Sequence, residues 1–289
     1  MLVGAVAISL APIFVRLSNL EPVVSAFYRL SFALPFFALL PFLGRAKPEL
    51  QSTKRNRLSF RDIFMMCICG AMLATDLALW HISINWTSVA NATLFNNCAP
   101  VILIALGWAF LGERITREVL IALVVASSGI ALLMGENFTL SPDQFIGDMV
   151  AISTAFFYAL YLFLVKSLRA RHDTFVIMFG TSLVSAVCLL TVCVMNGWGM
   201  ALIDMRSWSI VLGLALVCHV FGQSLIAGAL ADLPVATSSF GLLVQPVSAA
   251  VLAWILFNEA LSLLQCLGGL LVLCSIVLSS RARQSVKRG

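Results

Sequence analysis

Apolar stretches close to the ~20 residues that a helix needs to cross a bilayer recur down the whole chain, separated by short polar breaks. Dividing the sequence at those breaks gives ten candidate helices, at approximately 1–17, 23–43, 61–83, 88–111, 117–135, 146–166, 174–196, 208–230, 234–258 and 262–280. Of the 289 residues, 61% are hydrophobic and only 11% are charged, where a soluble domain carries about a quarter. An all-α integral membrane protein is therefore expected. The opening stretch, "MLVGAVAISLAPIFVRLS", has no positively charged leader and is read as a first span, not as a signal peptide. No linker is long enough for a soluble domain; the longest, "GRAKPELQSTKRNRLSFR", is a basic loop.

Basic residues orient the stack. With the N-terminus cytoplasmic, all of the 18 Lys and Arg residues fall in inner loops or in the C-terminal tail, except Arg16, Arg29 and Arg206. Loops rich in Lys and Arg stay on the cytoplasmic side, so an N-in, C-in arrangement follows. The net charge of +5 reports this orientation, and because it is spread over separate loops it is no nucleic-acid signal.

One segment occurs twice. "NATLFNNCAPVILIALGWAFLGERIT" (91–116) is repeated without a gap by "TSSFGLLVQPVSAAVLAWILFNEALS" (237–262). An offset of 146 pairs Pro100 with Pro246, Leu106 with Leu252, Trp108 with Trp254 and Glu113 with Glu259. The chain thus divides into halves, 1–145 and 146–289, of five helices each. Five is odd, so the second half enters the membrane upside down relative to the first. Inverted repeats of this kind are used by secondary transporters to expose a midplane site to each side in turn.

The doubled pattern of a proline-containing helix, a terminal Glu ("LGERIT", "FNEALS") and a small-residue helix resembles the drug/metabolite transporter superfamily. Within it the chain is similar to the EamA type, with ten helices in two repeats, and to bacterial amino-acid exporters of that group. The resemblance implies a multi-pass protein of a bacterial inner membrane that exports amino acids or similar amphiphilic metabolites. Other cargoes of the superfamily, drugs among them, remain alternatives. The second copy departs from the Gly-Glu of the first, with Asn258 before Glu259.

Pro100 and Pro246 each remove an intrahelical hydrogen bond and crowd the carbonyl four residues back, at Asn96 and Leu242. Freed carbonyls in hydrocarbon need partners or a wet cavity, and Asn96, Asn97 and Gln245 lie at that depth. The two prolines are expected to act as hinges and the amides to line an aqueous space; helix-to-helix bonding is the competing role for the amides. Tyr158, Tyr161, His219 and Gln223 fall at comparable depth, with Trp80 and His81 nearer the outer end. Together they suit the apolar walls and sparse polar groups of a small-molecule site. An interfacial belt for Trp80 and a structural role for His219 are the alternatives. Arg29 and Asp76, each about 10 Å below the outer surface at 1.5 Å per residue, are expected to form an intramembrane charge pair, directly or through water.

Glu113/Thr116 and Glu259/Ser262 look like helix-capping corners, Ser262 and Gln265 forming a capping box. Ala122, Ala126, Gly129, Gly268, Gly269 and Ser275 suit close helix packing, within the chain or at a dimer face. The eight cysteines lie in apolar stretches without paired CxxC motifs, and the three histidines are scattered, so neither a metal nor any other cofactor is expected. No Walker-type motif is present for ATP hydrolysis. An intramembrane enzyme would need Ser238 or Ser239 to approach His219, with no catalytic motif to support it. Partners are therefore a small-molecule substrate and the lipid bilayer; the oligomeric state is open.

Overall fold

A computed structural model describes residues 1–18, 20–43, 58–83, 86–87, 92, 95–113, 115–134, 145–200, 204–257 and 261–286. Among the described residues the ordered backbone is helical throughout, and six helical segments are long and apolar enough to cross a membrane: Pro22–Leu40, Phe60–Ser83, Phe145–Arg169, Thr174–Met195, Met205–Asp232 and Val235–Leu256. The second span is Pro22–Leu43, the third Phe60–Ser83, the fifth Arg117–Met134, the sixth Phe145–Arg169, the seventh Thr174–Met195 and the tenth Leu263–Val286. The first span is two pieces, Leu2–Ile8 and Ala11–Leu17; the ninth is Val235–Leu242 and Val244–Phe257. The fourth contributes Ala99–Leu111, and the eighth runs through Met205–Gly213, a π-helical stretch Leu214–Gln223, and Ser224–Asp232. Residues 44–57 and 135–144, with the second-copy corner at Asn258 and Glu259, lie outside the described residues.

Three spans are broken where the sequence suggested continuous, kinked helices. The interruptions fall at Ser9–Leu10, Asn97–Cys98 and Leu243, two or three residues before Pro12, Pro100 and Pro246 respectively. At each break ψ rises toward zero: −16° at Leu10, −11° at Cys98 and −8° at Leu243. The backbone bonds there tighten to the residue three back, Leu10 N–H to Ala7 O (3.4 Å), Cys98 N–H to Phe95 O (3.0 Å) and Leu243 N–H to Phe240 O (3.1 Å). Proline explains this. Its missing N–H cannot close the four-residue ladder, and it is well tolerated in the first turn of the helix that restarts. Pro100 accordingly stands in the first two positions of Ala99–Leu111 and leaves no unmade bond in mid-helix.

The two halves interlock. The second span packs on the seventh, the fourth on the ninth and the fifth on the tenth. The third packs on the sixth and seventh, and correspondingly the eighth packs on the first and second. Exchanging the halves therefore carries the principal contacts onto themselves, as a two-repeat architecture requires.

The small residues are used inside this frame. A methyl built on Gly268 would stand 2.5 Å from the Leu133 nitrogen and 2.6 Å from the Gly129 carbonyl oxygen, so the fifth and tenth helices touch through their backbones. Ala122 and Ser275, at the offset-related positions, are likewise fully buried. The small-residue face thus serves the contact between halves. Large apolar side chains such as Trp108, Phe110, Val124, Trp254, Ile255 and Leu270 are exposed around the outside, where lipid is the solvent.

Candidate functional site: a cavity between the halves

All three breaks open onto one cavity of about 160 Å³. Its walls come from the first span (Ile8, Ser9, Ala11, Pro12, Val15), the second (Arg29), the third (Leu73, Asp76, Leu77, Trp80, His81) and the segment before the fourth (Asn96, Asn97). From the second half come Tyr158, His219, Gln223, Gln245, Pro246 and Ala249. The lining residues run from mid-bundle toward the end at which the first and third spans finish. None of the lining residues comes from the opposite end of the bundle.

Its floor is specific. Gln223 donates from Nε2 to the Tyr161 hydroxyl at 3.2 Å, and the Tyr161 ring lies stacked 6.2 Å from that of Tyr158. Tyr161 is fully buried beneath the cavity, so it supports the floor without lining it; Pro100, also buried, does not line it either. His219 is held through Nε2 by the Ser182 hydroxyl at 2.8 Å and packs edge-on against Phe37. Ser239 donates to the Val235 carbonyl, so the nucleophile–base arrangement considered from sequence does not form around His219. Both His219 and Gln223 ride on the π-helical stretch, a winding often found at functional sites.

On the third span, the His81 ring bonds through Nδ1 to the Leu77 carbonyl at 2.6 Å and lies edge-on to Trp80. A carbonyl only accepts, so Nδ1 carries the proton, and neutral His81 presents Nε2 as an acceptor. That Nε2, Asp76 Oδ1, Arg29 Nε and Gln245 Nε2 are all buried without a hydrogen-bond partner. Arg29 and Asp76 therefore share the cavity; of the contact expected between them, direct or through water, the direct form is not made, and no ion pair within 4.0 Å joins them. Matching depth fixes height along the bundle, not the direction in which a side chain leaves its helix. Among the described residues, ion pairs are made instead by Asp62, with Arg171 at 3.7 Å and His172 at 3.0 Å.

At the opposite end, side chains cap the backbone of the turn between the eighth and ninth spans. Both Glu113 oxygens accept from the Val235 N–H at 2.9 Å, so this carboxylate caps the start of the ninth span. The corner is structural, as its sequence suggested, yet the helix it serves belongs to the other half. Lys166 donates to the carbonyls of Leu230 (3.1 Å) and Leu233, which close the eighth span. The turn joining the eighth and ninth spans is therefore gripped from both sides. The capping box at Ser262 and Gln265 forms reciprocally, at 3.0 and 3.2 Å, and Thr116 caps the Val119 N–H at 3.4 Å.

Two features of the site escaped the sequence reading. Pro12 and Ser9 supply the third break; the proline at mid-span was the available signal. Nothing in the sequence marks the π-helical winding.

A ten-helix membrane bundle of two repeats around one cavity defines a membrane transporter. The chain belongs to the EamA-like transporter family, which it matches twice, over residues 1–135 and 145–281. It is 25% identical over 278 residues to an uncharacterized transporter of Archaeoglobus fulgidus, covering 96% of this chain and 94% of that one. A probable terminal-alkyne amino-acid exporter of Streptantibioticus cattleyicolor is 28% identical over 227 residues, 76% of this chain and 74% of its own. The pseudopaline exporter CntI of Pseudomonas aeruginosa is 25% identical over 227 residues, 78% of each. A solved crystal structure superimposes with a TM-score of 0.80 at 16% identity, covering 96% of this chain and 97% of that one. The protein is a multi-pass membrane transporter of small molecules and not an enzyme.

Proposed function

We propose that this transporter exports amino acids or similar small amphiphilic metabolites across a bacterial inner membrane by alternating access. The observation that carries the reading is the cavity itself. It is assembled from both halves, meets three helix breaks, and combines apolar walls with a few polar atoms that lack protein partners. With the N-terminus inside, its mouth faces outward and the Glu113–Lys166 latch closes the cytoplasmic end. Asn96, Asn97, Trp80, His81, Tyr158, His219, Gln223 and Gln245 are the proposed substrate contacts, Tyr161 acts through Gln223, and Pro246 with Pro100 marks the hinges. Two relatives carry exporter names, one of them for an amino acid, and that favours this cargo over unrelated drugs.

The test is a panel of labelled solutes offered to purified protein in proteoliposomes. Amino acids entering or exchanging unaltered, with alanine at His219 or Gln245 reducing transport while expression holds, is the expected outcome. Transport of hydrophobic drugs without any amino acid would transfer the reading to the alternative cargo.

A further inference from the structure

The four unpartnered atoms sort into two pairs. Arg29 Nε and Gln245 Nε2 are hydrogen-bond donors, and Asp76 Oδ1 and His81 Nε2 are acceptors. A carboxylate needs donors and an ammonium needs acceptors. Resting on the amino-acid reading above, we infer that the cavity is a zwitterion site, Arg29 and Gln245 receiving a ligand's carboxylate and Asp76 and His81 its ammonium.

Three observations carry this. First, two opposite charges in one low-dielectric cavity forgo each other, each keeping a buried atom open, where a direct pair would relieve both. A ligand bearing one charge of each sign satisfies the set without leaving either residue uncompensated. Second, the Nδ1 bond to Leu77 fixes the ring so that Nε2 of His81 can accept from an ammonium. Third, the third span adds an apolar strip beside these groups, Leu73, Leu77 and Trp80 standing on the same helix as Asp76 and His81 and matching an uncharged side chain. A plain amine would leave Arg29 unanswered, and a plain acid would leave Asp76 so. Sites built to bond a group reject analogues that lack it by large factors, because their own buried atoms then go unpaired.

The experiment uses the full chain in proteoliposomes and the leucine series. L-Leucine is the labelled probe; 3-methylbutylamine lacks its carboxylate and 4-methylpentanoate lacks its ammonium. Wild type should take leucine and be competed by either analogue only at roughly hundredfold higher concentration. Arg29→Gln should lose at least tenfold of the discrimination against the amine and keep that against the acid. Asp76→Asn should do the reverse. Arg29→Lys and Asp76→Glu should retain the wild-type order, which a mere loss of folding would not permit. If Arg29→Gln does not reach the membrane, Asp76→Asn carries the same test with opposite sign. Leucine transport in which both variants weaken all three compounds in parallel, or change none, overturns the zwitterion site and leaves the export reading standing. If no amino acid of a wider panel moves, that reading falls and the inference with it.

Discussion

Replacing Glu113 by Ala tests whether the capped turn between the eighth and ninth spans is part of a gate. The carboxylate sits on the Val235 N–H with both oxygens at 2.9 Å, and Val235 is fully buried. A hydrogen bond to a charged group contributes about 1.5–3 kcal/mol, and Glu113 is partly exposed, which favours the lower end of that range. If the opposite state separates these groups, the substitution favours it by roughly tenfold, at 1.4 kcal/mol per decade. The readout is a single cysteine at Leu162, fully buried between the cavity floor and Lys166, in a background whose native cysteines are replaced. An impermeant maleimide applied from the cytoplasmic side should label it about tenfold faster in Glu113→Ala than in wild type. Glu113→Gln, which keeps an uncharged acceptor, should fall between them. Unchanged labelling would refute the latch. Equal acceleration from both sides would show general loosening and refute it too.

Further outcomes follow from the same contacts. Cysteines placed in 136–145 should react with an impermeant reagent from outside and those in 48–56 only from inside; labelling of both loops from one side would overturn the inverted arrangement. Gly268→Ala should lower the melting temperature in detergent, with overpacking against backbone costing about 1–3 kcal/mol. Gly269→Ala, whose methyl would meet Val247 at an ordinary 3.7 Å, should leave melting unchanged or raise it. Ser182→Ala should raise the transport KM severalfold while melting holds, because it releases the His219 ring from its 2.8 Å anchor.

Apolar runs made the helices legible, since they are a property of neighbouring residues, and the 146-residue offset made the two repeats so. Azimuth was not legible, because counting from a span's end gives height along a helix and not the direction in which a side chain leaves it. Arg29 and Asp76 line one cavity without meeting, and Tyr161 lies three residues from Tyr158 yet is buried below the floor. Long-range partners were equally hidden: Glu113 reaches Val235 across the repeat boundary, and no local pattern announces it. Prolines were visible as kinks, but tertiary packing decided that the helices stop and restart. Gly112, the sequence counterpart of Asn258, ends the fourth helix in the left-handed region, at φ 66°, where asparagine is the residue that most readily replaces glycine.

The exchange of contacts between halves means that evolution cannot tune one end of this molecule alone. If the halves swap conformations during a cycle, each position must serve twice, once as itself and once in the setting its counterpart now occupies. A substitution that perfects the closure at one face also alters what that stretch of sequence does when the closure at the other face forms. The two copies are held to a compromise, alike at the breaks of the fourth and ninth spans and at the paired tryptophans, and free to diverge where the cavity must tell one end of its cargo from the other.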